Sequence, residues 1–237
     1  GDPGWAGVAG AEAMAASGSG GDPGSAGVAA AEPIPGGRSG AWGLADKTMR
    51  LTELASGSEI RRLEAPSSPI WSVAFSPNGR LLATGEEGNS VRLWEVHTGR
   101  EWQGLALHDA PVRSVAFNRE GDLLATGGND GKVQLWNVQH ERKHEPPLNS
   151  RQSQPVLAVA FHPRRPLLAS AGMDGVVQLW NVRTGARLGH PLKGHDKPIR
   201  SLAFHPTKEL LASAGEDGRV LVWAVGVRAA MGTEEEA

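Results

Sequence analysis

Cysteine is absent from the 237 residues, which excludes disulfides and thiolate chemistry and leaves the compartment open. Tyrosine is absent too, and aromatic residues make up only 5 % of the chain. No apolar run approaches the length of a membrane span, and the N-terminus lacks the basic-then-apolar order of a signal peptide. A strong charge of either sign is also missing: 24 Lys and Arg against 26 Asp and Glu leave −2, so no whole-molecule field points to nucleic acid or an anionic membrane. These absences lead us to expect a soluble, cytoplasmic protein with neither a nucleic-acid nor a membrane partner. The chain opens on Gly1 rather than methionine, as a processed product or a piece of something longer does.

What is there is periodic. The stretch 194–225, GHDKPIRSLAFHPTKELLASAGEDGRVLVWAV, has earlier copies in HDAPVRSVAFNREGDLLATGGNDGKVQLWNV, SQPVLAVAFHPRRPLLASAGMDGVVQLWNV and SSPIWSVAFSPNGRLLATGEEGNSVRLWEV. The only four phenylalanines, Phe75, Phe117, Phe161 and Phe204, fall one per copy, as do Trp94, Trp136, Trp180 and Trp223. Phe and Trp stand 19 residues apart in every copy, so all length variation lies between each Trp and the next Phe. Insertions are tolerated in exposed connections and not where strands are in register, which makes the Phe-to-Trp block the rigid part. Within it the alternation has period two (Val73 and Phe75; Val91 and Leu93), and turn chemistry such as Asn129-Asp130-Gly131 separates the runs. Three strands per copy are clear, and a weaker fourth follows at 100–105 and 186–192. Four strands of about 5–6 residues plus turns account for the period.

Residues 1–38 differ. Gly and Ala fill 22 of the first 40 positions, and GDPGWAGVAGAE recurs as GDPGSAGVAAAE, which predicts a disordered tail. Residues 41–63 read as a half-repeat supplying two strands rather than four, with Asp46 at the turn-aspartate station and Thr52 where tryptophan is due. The expected organisation is a repeat domain over 39–231, made of the half-repeat at 41–63 and repeats at 66–106, 108–149, 152–192 and 195–231. An acidic tail follows at 232–237.

The Gly-His, Ser/Thr, Asp and Trp stations of these copies resemble WD40 repeats, and the match runs over about 41–225. The Trp-Asp dipeptide itself is replaced by Trp94-Glu95, Trp136-Asn137, Trp180-Asn181 and Trp223-Ala224. The resemblance implies an all-β fold of WD40 β-propeller blades: four full or nearly full four-stranded repeats plus a half-repeat. Four copies and a half are fewer than the usual seven, so the expected form is an open arc or part of a longer propeller. A weak candidate for the missing fourth strand of the last copy is 226–231, and 59–63 is another.

Taken alone, His195, Ser213 and Asp217 look like a nucleophilic triad. The resemblance implies instead a structural hydrogen-bond relay: indole to hydroxyl, hydroxyl to imidazole, imidazole to carboxylate. That relay would join His195, Ser213, Asp217 and Trp223 in one blade and His108, Thr126, Asp130 and Trp136 in another. Ser170, Asp174 and Trp180 keep it in part, with Gln152 at the histidine station. The first copy has Pro66 and Gly88 in place of His and Asp. His140 and His144 sit in a charged connection and read as solvated, and no metal or cofactor is expected.

In WD40 proteins the residues entering the first strand of each blade line the narrow top face, which most often grips partners. Here they are Trp71, Arg113, Leu157 and Arg200, each two residues after a proline, with Glu87, Asn129, Met173 and Glu216 near the same rim. For Trp71, packing on the neighbouring blade stands beside partner binding as an equal reading. The implied function is a non-catalytic scaffold binding protein or peptide partners in a larger assembly, with an open blade edge that allows self-association. The alternative is a C-terminal sensor or regulatory module of a multidomain signalling ATPase, kinase or protease, because the TG turns are similar to bacterial-type WD40 arrays. A propeller enzyme would need polar residues converging on the channel, and the sequence alone shows no such set.

Overall fold

The computed structural model describes residues 29–31, 39–43, 48–53, 56, 58–64, 68–106, 108–148 and 154–226. Expectations for 1–28, 32–38, Pro66, Gln152, 227–231 and 232–237 lie outside the described residues. Every element described is a β-strand, and every pairing is antiparallel.

The first sheet holds β1 (Ala29–Ala31), β2 (Ser39–Gly43), β3 (Thr48–Glu53) and β4 (Glu59–Glu64). Blade 1 holds β5 (Ile70–Phe75), β6 (Leu81–Glu86), β7 (Val91–Glu95) and β8 (Glu101–Leu105). Blade 2 holds β9 (Val112–Phe117), β10 (Leu123–Gly128), β11 (Val133–Asn137) and the short β12 (Arg142–Lys143). Blade 3 holds β13 (Val156–Phe161), β14 (Leu167–Gly172), β15 (Val176–Asn181) and β16 (Arg187–Lys193). Blade 4 has three strands among the described residues: β17 (Ile199–Phe204), β18 (Leu210–Gly215) and β19 (Val220–Ala224).

The half-repeat is the correction. Its sequence predicts two strands and the structure has four, the first of which, β1, falls inside the segment that reads as a tail. Strand pairing is a backbone property: Ala29, Ala30 and Ala31 pair with Gly43, Trp42 and Ala41, and Trp42 is the single bulky residue among the six. Counted back from Thr52, β2 sits on the second-strand station of the later copies, so the repeat register continues where its apolar signature has faded. Residues 59–64 stay in this sheet as β4 and do not complete the last blade.

The turns follow their residues. Gly131, Gly175 and Gly218 all have positive φ (72°, 69° and 76°), the left-handed conformation glycine adopts freely. At the same station of blade 1 stands Asn89 with φ 64°, the side chain that tolerates this region next best.

Each blade is apolar on both faces, and the faces pack in succession. The inner strands β5, β9, β13 and β17 lie side by side, with β1 and β2 against β5. We call the face turned to the preceding sheet the front and the other the back. The front of blade 1 (Ile70, Val73, Leu82, Trp94) packs with Leu51 of the first sheet. The back of blade 1 (Ala83, Val91, Leu93) meets the front of blade 2 (Val112, Val115, Leu124). The same stations recur between blades 2 and 3 and between blades 3 and 4. Small alanines on the back accept Phe and Trp from the next front, as interdigitation at native density requires. The succession ends at blade 4, whose back is open: Val220 and Val222 are 68 % and 64 % exposed. The sheets form an open arc.

Candidate functional site: a top-face cavity

In blades 2 and 4 the relay stations tie the loop entering the blade to the turn between its second and third strands. Blade 4 carries the relay whole. Trp223 Nε1 donates to Ser213 Oγ (2.9 Å), which lies 2.8 Å from His195 Nε2, and His195 Nδ1 lies 2.9 Å from Asp217 Oδ2. Asp217 also accepts the backbone N–H of Arg219 (3.0 Å) and Asp196 (3.3 Å). Burial opposes ionisation of Asp217, but the His195 bond and these donors hold its carboxyl far below the usual carboxylate range. Ser213 is 1 % exposed and its oxygen already accepts an indole N–H, so it is not presented to a substrate.

Blade 2 keeps His108 Nδ1 to Asp130 (2.9 Å) and His108 Nε2 to Thr126 (2.7 Å). Burial lowers the His108 pKa, keeping the imidazole neutral. Burial also works against Asp130, yet the bonds from His108 and from the Asp109 and Lys132 backbone hold its carboxyl low. Here the expected relay stops short. The buried Trp136 Nε1 has no hydrogen-bond partner among the described residues, and nothing in the structure explains why. In blade 3 Trp180 donates to Ser170 (2.8 Å), while Asp174 is exposed and accepts only the turn N–H of Val176 (3.1 Å) among the bonds described. Asp174 therefore belongs to the turn and not to the relay.

Blade 1 reads from its sequence as a gap in the relay, and a residue that the sequence does not single out fills it. Glu86, wholly buried, accepts from Ser68 (3.2 Å), Thr84 (3.3 Å) and Ser90 (3.1 Å), and lies 3.0 Å from Arg92 Nε. Trp94 Nε1 donates to Thr84 (3.1 Å), so the indole is tied to a carboxylate without any histidine. Glu86 occupies the station of Gly128 and Gly215. A Cβ on Gly215 would stand 2.5 Å from His195 Nδ1 and 2.8 Å from Asp217 Oδ1, and Gly128 is equally crowded by His108 and Asp130. His and Asp require glycine there, and their loss makes room for Glu.

The four predicted top-face residues come together for a reason written in the strand pairing. In each blade the first strand slips register by one residue against the second. Ile70 pairs with Glu86 and Ser72 with Gly85; Val156 pairs with Gly172 and Ala158 with Ala171. Blades 2 and 4 slip likewise around Arg113 and Arg200. The skipped residues are Trp71, Arg113, Leu157 and Arg200. A bulge leaves one residue outside the ladder and re-aims its side chain. All four line one cavity of about 260 Å³, together with Ser72, Ser114 and Ser201.

Each bulge residue is matched to the turn residue sixteen positions on, whose N–H bonds to the blade's entry proline carbonyl. Trp71 Nε1 donates to Glu87, Arg113 Nε to Asn129 (3.0 Å), and Arg200 Nε to Glu216 (2.6 Å). Blade 3 instead supplies the apolar Leu157 and Met173, the latter 43 % exposed. The guanidinium of Arg113 lies 3.9 Å over the Trp71 ring, a cation–π contact between blades 2 and 1. Burial, with the like charge of Arg200, pulls the Arg113 pKa below the usual arginine value, so the two cations share one field. The cavity is thus more polar than the sequence alone conveyed. Its serines are partly engaged: Ser72 accepts the N–H of Val115 and Ser114 that of Val159, each at 3.1 Å. His140 and His144 lie elsewhere and turn to separate acceptors, Asn137 and the Val182 carbonyl.

The family model described as WD domain, G-beta repeat matches residues 57–95, 101–137, 146–181 and 186–224, well over half the chain. The chain belongs to the WD40 repeat family. Each matched repeat begins in or near the outer strand of one sheet and ends in the third strand of the next, so every sequence repeat stitches two neighbours together. No curated protein matches the chain. WD40 repeats generally mediate protein–protein interaction.

Proposed function

We propose that this chain is a non-catalytic WD40 scaffold that grips a protein or peptide partner through the top-face cavity. The observation that carries this reading is the convergence of four bulge residues, one from each blade, on a single recess. A bulge repeated at one station fixes side chains that the ladder does not need. Trp and Arg are the types that dominate binding hot spots, and Trp71, Arg113 and Arg200 are held by partners that limit their rotamer freedom before any ligand arrives. The apolar pair Leu157 and Met173 between the two cationic blades gives the recess a hydrophobic side, which favours a peptide carrying both an apolar anchor and polar groups.

The test is affinity capture from lysate with wild type and the Trp71→Ala/Arg113→Ala/Arg200→Ala variant, both verified as folded by circular dichroism. Hot-spot truncations cost on the order of 2 kcal/mol each, so captured partners should fall at least about tenfold. Partners retained in full by the folded variant would sink the top-face reading.

A further inference from the structure

The polar side chains lining the top-face cavity are all donors or hydroxyls. They are Trp71, Ser72, Arg113, Ser114, Arg200 and Ser201, and no carboxylate, side-chain amide or imidazole lines it with them. What each donor already binds shows what the recess lacks.

Two of the donors are spent. Trp71 Nε1 donates to Glu87, and Arg200 turns Nε and Nη2 to a single carboxylate oxygen of Glu216. Arg113 differs, because its turn partner is the neutral Asn129, which accepts from Nε alone (3.0 Å). Its two Nη groups meet no acceptor among the described residues, and the carboxylate in its field, Glu87, already accepts the Trp71 indole N–H. Ser72 and Ser114 each use the hydroxyl oxygen to accept a backbone N–H of the following blade (3.1 Å), which leaves their own protons to donate. Blades 1 and 2 thus bring to the cavity one guanidinium edge and two hydroxyl protons that lack acceptors among the described residues. The guanidinium is fixed, 3.9 Å over the Trp71 ring. Burial and the like charge of Arg200 make its own charge costly, and an anionic acceptor offsets both.

Charge decides between acceptors. Arg113 and Arg200 are matched in number by Glu87 and Glu216, so the recess and its rim are neutral together. A carboxylate adds one negative charge and takes two parallel N–H bonds from a guanidinium edge. A phosphate adds nearly two beside Glu87 and Glu216, and like-charge repulsion opposes it. We infer, building on the top-face reading, that the cavity recognises a carboxylate of its peptide partner, bound by the Nη edge of Arg113 beside the Ser72 and Ser114 hydroxyls. The apolar anchor of the same peptide falls on Leu157, the one aliphatic bulge residue.

The probe is a synthetic library of random peptides, selected on the full chain and, in parallel, on the folded Trp71→Ala/Arg113→Ala/Arg200→Ala variant. Binders that need the three residues should be enriched in Asp, in Glu or in a free terminal carboxylate. Copies of the leading binder separate these sources without any change to the protein: Asp→Asn or Glu→Gln removes the side-chain acid, and C-terminal amidation removes the terminal one. One of these exchanges should weaken binding about tenfold, as loss of a charge-assisted pair does. On an Arg113→Gln variant, shown to be folded by circular dichroism, the same exchange should be nearly silent. A purely structural Arg113 would leave the exchange as costly as before, which overturns the assignment. Binders that need the three residues yet lose nothing in either exchange overturn the carboxylate and leave the top-face reading intact. Tighter binding with phosphoserine at the acidic position overturns the choice of a single charge. A library with no binder that needs the three residues overturns the top-face reading and the carboxylate with it.

Discussion

At the residue scale the exchange at Glu86 shows how one station constrains its neighbours. The relay geometry of blades 2 and 4 fills the space above Gly128 and Gly215, and blade 1 fills the same space with a carboxylate. A buried carboxylate is tolerated only when donors surround it, and three hydroxyls and Arg92 do so here. Glu86→Ala would strand those hydroxyls and leave Arg92 with Glu101 as its remaining ion pair. The expected cost is about 2–3 kcal/mol, read as a lower urea midpoint at unchanged slope. A variant as stable as wild type would show that the network is incidental. In the sequence, Pro66 and Gly88 look like separate departures from the repeat, and nothing singles out Glu86. Their coupling depends on where atoms meet above one Cα, and no spacing reports that.

At the element scale the legible features were those tied to strand register. The constant interval from Phe to Trp, the turn glycines and the alternation located β5 to β7 and their later copies closely, because a slip of one residue would turn an apolar face outward. What stayed hidden was β1 and β2, where backbone pairing proceeds on Ala, Gly and Ser, and Trp42 alone is too little to show an alternating apolar pattern. The bulges were half legible: the prolines marked the entry to each blade, but the register shift that aims Trp71 and Arg113 into one cavity is visible only in the pairing. The relays join a loop, a strand and a turn, and their charge states give these elements a common pH dependence. His108 has its pKa lowered in the fold by burial, so its contribution is complete above the unfolded value of about 6.5 and fades as pH falls below it. Asp130 and Asp217 are also held low, so their contributions are complete above the unfolded value of about 4 and are lost only in stronger acid. All three signs agree. Thermal melts should show a plateau from neutral to mildly alkaline pH and a first decline below about pH 6.5 that His108→Gln reduces. A midpoint that rises on acidification from pH 7 to pH 5 would contradict the assignment.

At the scale of the whole molecule two effects compete over which blade is held most firmly. Relay completeness favours blade 4, the one blade where indole, hydroxyl, imidazole and carboxylate are all joined. Neighbour coverage favours the interior: every residue of β10 and β14 is buried, whereas β18 is only partly so and β19 alternates exposed with half-buried. Magnitudes decide it. A hydrogen bond contributes a net of about 0.5–1.5 kcal/mol, and fully burying one Val or Leu about 1.5–3. Blade 4 leaves Val220 and Val222 in solvent and the adjoining Leu210, Ala212 and Ala214 only partly covered. The uncovered back therefore outweighs the relay. In a stacked array each unit is stabilised by its own strands and its immediate neighbours, so the end with one neighbour opens first. Hydrogen exchange should find the strongest protection in β10 and β14 and clearly weaker protection in β18 and β19, with the His195 relay intact. Protection in β18 equal to that in β14 would mean that the relay, not the stack, sets local stability.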